Sequence, residues 1–378
     1  MTAGLRARLT EAVRRQGRWT TVYLDLSNDR ENPEGLQESR RRSVRDRLRE
    51  LGASEAAVTA VDERLTVPTG LPAPFCRYVL ACDDEVQLEE AIPGTPASGE
   101  VAEVGPVPLI APLIRSGVED FAYLVVQVSR DGGDIAVHRT GAFFPELSST
   151  MQGRTDTLHK VKGGGWAHLN QQEHVEEIWK QTQMELSAEI DRLVLEHRPR
   201  LIVVAGDIKA RVLLLDALAD RSRSIAVELP KDTRSGGADP SALVEFTERQ
   251  IQALLERDRH DVIDLLHTRL GQEQRSAASA GLRPVVEALR QAQADTLLLD
   301  IDALGDAELL ALDDQPWIAA DEADVAGARV IASVPAAEAL IRSALLTDAT
   351  VLLARSADLG GEPAAALLRW PADVPANA

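Results

Sequence analysis

Two cysteines, Cys76 and Cys82, are all that the 378 residues contain. They flank a run that reads as a strand, where six residues span about 20 Å, beyond the reach of a disulfide. Both are expected to be buried thiols in a reducing, cytoplasmic setting. A zinc site needs more cysteines or nearby histidines, and the sequence offers neither. No apolar run reaches membrane-spanning length, and residues 1–17 lack a signal-peptide core, so no membrane partner is expected. Nucleophile elbow, phosphate loop and catalytic carboxylate pair are also missing. The chain is therefore expected not to be an enzyme, with no catalytic residue, cofactor or metal assigned. Lysine is absent from residues 237–378.

What is present is globular: 44% hydrophobic and 27% charged residues, enough chain for two or three cores. The net charge of -19 argues against a general nucleic-acid coat. It is unevenly spread: residues 1–105 carry -4, residues 106–236 carry -2, and residues 237–378 carry -13. The acidic last third is repelled by phosphate backbones and suits a protein partner or plain solubility.

Two breaks, Gly105-Pro-Val-Pro108 and Ser235-Gly-Gly-Ala-Asp-Pro240, divide the chain into three expected domains: 1–105, 106–236 and 237–378. The first opens with a helix, then an alternating strand at 20–26. An arginine-rich helix follows at 36–51, stopped by Gly52, and a second strand at 76–82. Around that helix Arg40, Arg41, Arg42, Arg45, Arg47 and Arg49 interleave with Glu34, Glu38, Asp46 and Glu50, so internal ion pairing is favoured over an RNA grip. The middle segment reads as a hairpin at 121–139, turning at Asp131-Gly-Gly133. A long helix at 171–197, a buried parallel strand at 201–205, and Gly206 before another helix come next. On the long helix Val175, Ile178, Trp179, Thr182, Leu186, Ile190, Leu193, Val194 and His197 form one stripe, which puts Trp179 in the core. Gly206 with Asp207 resembles a nucleotide-binding turn, but no glycine-rich fingerprint follows. The last segment is helical to about 271. Helix and strand then alternate: helix from 281, strand 295–300, strand 328–333, helix 336–346, strand 350–354 and a closing stretch at 361–370. All this is α/β.

The most informative stretch is Lys160-Val-Lys162-Gly163-Gly164-Gly165-Trp166-Ala-His168, which feeds directly into the long helix. Three consecutive glycines make a side-chain-free backbone that approaches another molecule closely. Arg154, Lys160 and Lys162 against Asp156 give residues 147–170 a local charge of +2 in an acidic protein. Basic groups suited to phosphates beside an indole suited to stacking on a base make this the candidate RNA-contacting loop. His159, His168 and His174 lie near Glu173 and Glu177, but their spacing fits no metal motif. RNA contact or capping of the helix start is favoured for His168 and His174.

Three places carry a family resemblance. Gly164-Gly165-Trp166 stands where peptide-chain release factors of archaeal and eukaryotic type have Gly-Gly-Gln, with the long helix following directly. Residues 281–299 resemble the helix–strand opening of that family's C-terminal domain, and Ala365-Ala-Leu-Leu-Arg-Trp370 its closing strand. Residues 106–378 thus resemble the release factor and Pelota superfamily, and within its bacterial branch the Balon-like hibernation factors of actinobacterial type. The resemblance implies a middle domain built on a mixed sheet with a long helix that carries the loop. It implies an α/β last domain that docks a translational GTPase, with elongation factor Tu the expected partner. It also implies binding of the 70S ribosome at the vacant A site, the loop reaching ribosomal RNA near the peptidyl-transferase centre. The family's glutamine places the hydrolytic water, whereas Trp166 offers one donor, no acceptor and far more bulk. The N-terminal segment shows no likeness to the codon-reading domain. Three readings stay open: a hibernation factor that occupies idle ribosomes, a peptidyl-tRNA hydrolase using His168 or Gln171 instead, and a stress-induced protein-binding scaffold.

Overall fold

The computed structural model describes residues 3–27, 33–71, 73–117, 121–140, 142, 144–152, 166–230, 240–272 and 277–371. Two compact units result: Met1–Glu119 with Arg257–Ala378, and Asp120–Glu256. The first and third segments expected from the sequence thus share one unit, and the middle segment supplies most of the other.

In the first unit α1 (Ala3–Val13) buries Leu5, Leu9, Ala12 and Val13 at helical spacing. Strand β1 (Trp19–Asp25) is buried along its whole length. After it come α2 (Pro33–Glu50) and α3 (Glu55–Thr66), the latter capped by Ser54, whose hydroxyl accepts from the Ala57 N–H at 3.0 Å. Strands β2 (Phe75–Cys82), β3 (Glu85–Pro93) and β4 (Val101–Gly105) complete an antiparallel sheet in the order β3-β2-β1-β4. Its two faces divide by strand alternation. Val22, Leu24, Val79 and Ala81 meet Val44, Leu48, Val58 and Val61 of the two helices. Tyr23, Cys76, Tyr78, Leu80 and Cys82 meet the side of α1. Both cysteines are therefore core thiols, free and buried on one strand. Burial pushes the Cys76 thiol up to about 11. The short α4 (Ala111–Arg115) follows.

The second unit is a mixed five-stranded sheet in the order β7-β6-β5-β8-β9. Strands β5 (Ala122–Ser129), β6 (Gly132–Arg139) and β7 (Leu147–Gln152) form an antiparallel meander. Helix α5 (Trp166–His197) then crosses back, so that β8 (Leu201–Gly206) pairs parallel with β5. Helices α6 (Ile208–Ala217) and α7 (Asp220–Ser224) lead to β9 (Ala226–Glu228), parallel to β8. Leu186, Ile190, Leu193 and Val194 of α5 pack with Leu214 of α6 on Leu124, Val126, Ile135, Val137 and Val204. Helix α8 (Pro240–Leu270) seats Leu243 against the opposite face, beside Val203, Ala205 and Leu229.

The rest of the chain returns to the first unit. β10 (Ala278–Ala280), α9 (Leu282–Arg290), β11 (Ala294–Leu299) and α10 (Ile301–Leu304) are followed by a small sheet. That sheet comprises β12 (Glu308–Leu312), β13 (Ile318–Ala319) and β14 (Val330–Pro335), in the order β13-β12-β14. Helix α11 (Ala336–Leu346) is buried at every residue. β15 (Thr350–Leu353) and β16 (Ala364–Leu368) close a second sheet in the order β10-β16-β11-β15.

The expected break at 105–108 leads into packed chain because α11 holds the next residues in place. Glu338 accepts from the Ile110 N–H at 2.6 Å and the Ala111 N–H at 3.1 Å. Tyr78 donates to the Leu109 carbonyl at 2.6 Å, and the Leu109 N–H donates to the Thr21 hydroxyl at 3.1 Å. Arg6 pairs with Asp348 at 2.5 Å and Arg115 with Asp302 at 2.5 Å. The expected break at 235–240 is followed at once by α8, which runs unbroken past the unit boundary after Glu256.

Burial pushes the Glu338 carboxyl up from 4.5 to about 7, against the two N–H bonds that favour its charged form. Between those values the folded chain holds a proton that the unfolded chain has released. This contribution is therefore present in full below the unfolded value and is lost as pH rises through the folded one. At about 1.4 kcal/mol per unit, wild type should lose roughly 2 kcal/mol relative to Glu338→Gln between pH 5 and 8. Urea unfolding across that range checks this; a difference independent of pH would show the carboxyl ionised throughout.

Candidate RNA-contacting loop and its frame

The loop's frame is described. β7 ends at Gln152 and α5 begins at Trp166. Arg154, Lys160, Lys162, Gly163, Gly164 and Gly165 lie outside the described residues, as does His159. Trp166 opens the helix and His168 stands in its first turn. Their side chains, and those of Gln171, Glu173, His174 and Glu177, are outside the described set. Among the described residues no group of His, Cys, Asp or Glu is placed to hold a metal.

A helix of this length spans about 48 Å, and an eight-residue strand only about 27 Å. The described buried stripe of α5 accordingly begins at Thr182 and Gln183. Trp179, one turn before it, is half-buried rather than core, with the Arg130 guanidinium 5.0 Å from its ring centroid. The indole is left there because the helix outruns the strands it packs on. An indole at the margin of the sheet takes a cation as its cover. Gln183 donates to the Ser129 carbonyl at 3.0 Å, fixing the helix to the β5–β6 turn.

The turn after β8 is structural. Gly206 has φ +119°, and a Cβ there would lie 1.9 Å from the Val128 carbonyl oxygen. Asp207 caps α6, accepting from the Lys209 and Ala210 N–H groups at 2.9 and 3.1 Å, and pairs with Arg130 at 3.2 Å. The carboxylate is already engaged by the helix start and an arginine.

The arginine helix is bound into its own unit. Arg41 and Arg45 both reach Asp62 of α3, at 2.7 and 3.0 Å, and both reach Glu38. Arg40 pairs with Asp25 at 3.1 Å, Arg47 with Glu103 at 3.0 Å and Arg49 with Glu55 at 2.7 Å. Pairing was expected within the helix; much of it instead joins α2 to α3 and to the sheet. Burial works to raise the Asp62 carboxyl, yet the hydrogen bonds and charges of Arg41 and Arg45 hold it below the ordinary range.

Sequence reasoning missed the face of the sheet opposite α5, where Tyr123 and His138 stack with ring centroids 5.2 Å apart. The signal is the alternation in Asp134-Ile-Ala-Val-His138, which puts Asp134, Ala136 and His138 on one face.

Residues 122–272 match the family model of the bacterial archaeo-eukaryotic release factors, family 2. Over that stretch, 151 of the 378 residues, the chain is similar to the bacterial branch of the release factors. The match runs from β5 through α8, the whole frame of the loop. Rv2629, an uncharacterized protein of Mycobacterium tuberculosis, is 25% identical over 376 residues, covering 97% of this chain and 96% of that protein. Among solved structures, ribosome-bound archaeal Pelota with ABCE1 is similar at 12% identity and a TM-score of 0.43, over 98% of this chain and 95% of that one. The archaeal termination factor aRF1 is similar at 17% identity and a TM-score of 0.27, over 98% of each chain.

If Asp62 is a structural anchor, Asp62→Ala should destabilise the protein by about 1–3 kcal/mol by stranding two guanidinium groups. It should leave any pelleting of the folded protein with ribosomes unchanged. Chemical unfolding and ribosome pelleting measure the two; stronger, salt-sensitive pelleting with unchanged stability would restore the RNA reading of α2, because the freed guanidinium groups would grip phosphate.

Proposed function

We propose that this chain is a ribosome-binding translation factor that occupies the vacant A site of idle ribosomes. In this reading it presents the loop at 160–168 to ribosomal RNA near the peptidyl-transferase centre. The carrying observation is the family match over the frame of meander, long helix and parallel strand. In that frame the loop stands between β7 and the start of α5. The charge supports the assignment: residues 147–170 are locally basic in a chain of net charge -19. Trp166 in the glutamine's place supports binding without release, because an indole has no acceptor with which to orient a water. The protein would then protect idle ribosomes under stress rather than clear them. The acidic segment 237–378 would meet a protein, and elongation factor Tu is the proposed partner.

No helix among the described residues is long and apolar enough to cross a membrane. The hydrolase reading, with His168 or Gln171 replacing the glutamine, is separated from ours by a single preparation. On purified 70S ribosomes carrying peptidyl-tRNA, the protein should pellet with the ribosome and release no peptide. Alanine at Lys160, Lys162 and Trp166 together should weaken pelleting by tenfold or more, since stacking alone is worth about 1–3 kcal/mol per base. Stoichiometric release, lost in His168→Ala or Gln171→Ala, would promote the hydrolase. Undiminished binding of the triple variant in moderate salt would remove the loop from the interface.

The partner assignment is checked with the full chain. It should bind elongation factor Tu measurably at low ionic strength and more weakly as salt rises, because charge pairing mainly speeds association. No affinity in either nucleotide state would eliminate this partner.

A further inference from the structure

On the sheet face opposite α5, strand register stacks side chains in three rows. Tyr123 stands beside His138; Val125 beside Ala136 and Ser148; Gln127 beside Asp134 and Thr150. Helix α8 covers only part of this face. Leu243 and Thr247, one turn apart, are buried, while Val244 and Glu248 are exposed. The result is a cleft of about 320 Å³, lined by these rows and by the α8 turns that carry Leu243, Val244, Thr247, Glu248 and Ile251. Ala136 makes the hollow, because the smallest side chain of the three rows occupies the centre of the middle one. The volume lies at the small end of the range for ligand pockets.

The chemistry of the lining is one-sided. Among the described residues that line it are two carboxylates, Asp134 and Glu248, and no lysine or arginine. Burial holds the His138 imidazole below its ordinary value, which favours the uncharged ring. Burial, and then the charge of Glu248, raise the Tyr123 phenol. Tyr123 and His138 lie nearly parallel, with an interplanar angle of 11°. A third ring entering parallel to these two would extend that stack, and Glu248 in the same lining offers an attached cation a partner.

We infer that this cleft is a binding site for a small, flat aromatic cation, a ring carrying an ammonium or guanidinium group. The described lining needs no ribosome to form, so its test is made on the free protein.

The probes are tryptamine, its neutral isostere tryptophol and the anion indole-3-acetate, titrated into the full chain by isothermal calorimetry and ligand-observed NMR. Tryptamine should bind with a Kd on the order of 1 mM or tighter, tryptophol about fivefold more weakly, and indole-3-acetate more weakly still. Glu248→Gln, a change at an exposed position, should remove the preference for tryptamine over tryptophol while leaving tryptophol binding unchanged. Ala136→Leu should abolish binding of all three, with its melting temperature confirming that the variant folds. Equal binding of the three indoles, binding of none, or tryptamine binding indifferent to Glu248→Gln would each overturn the assignment. Capture of an arginine-bearing peptide with none of the free probes binding would likewise replace it with a protein-docking groove.

Discussion

Parallel pairing of β5 with β8 demands a crossover, since two parallel neighbours cannot be joined by a tight turn. Here α5 is that crossover, and its length sets much of the middle unit. About half the helix matches the strands in length and buries Leu186, Ile190, Leu193 and Val194 against them. The remainder extends past the paired strands and begins at Trp166, directly after the glycines. The same crossover fixes the turn after β8, where Gly206 lies so close to the Val128 carbonyl that no side chain fits. A glycine that looks like a nucleotide-binding signal is thus a consequence of parallel strands packed backbone to backbone. The Asp207 carboxylate beside it caps the next helix and pairs with Arg130.

Charge works differently in different parts of this chain. The arginines of α2 face carboxylates on α3 and the sheet, so most of their charge is spent inside the unit. An arginine held bidentately by Asp62 is a poor phosphate ligand, because it must first strand a carboxylate. The basic groups of the loop segment are few, but they are local to a glycine run beside an indole. The difference between a grip and a brace therefore lies in the partners each cation has, and composition alone does not report partners.

Elements with a single strong period were legible. Helix α11 is read at 336–346 from its sequence and found there, since Pro335 ends the strand before it and the strong helix formers Ala and Leu fill seven of its eleven positions. Strands β5, β6 and β8 and the turn at Asp131-Gly-Gly133 were legible through alternation and turn chemistry. What was hidden is tertiary. Nothing local in Gly105-Pro-Val-Pro108 shows that a carboxylate more than two hundred residues away accepts the N–H groups of Ile110 and Ala111 just beyond it. A proline- and glycine-rich stretch looks like a linker whether solvent or a buried glutamate satisfies its backbone. Trp179 was hidden for a related reason. The stripe continues in sequence beyond the point where the sheet beneath it ends.

The face opposite α5 shows how register carries chemistry that no motif announces. Alternation in β6 puts Asp134, Ala136 and His138 on one side, and the pairing of β5 and β7 decides their neighbours. Each strand alone is an ordinary half-buried strand. Only the three together align a ring pair, a small central residue and a polar row. Helix α8 then turns this grid into a cleft by burying Leu243 and Thr247 while leaving Glu248 at the rim. A bulkier residue in place of Ala136 would fill the hollow without disturbing any backbone hydrogen bond. The sheet therefore does not require alanine at this position, and its smallness is what leaves room for a ligand.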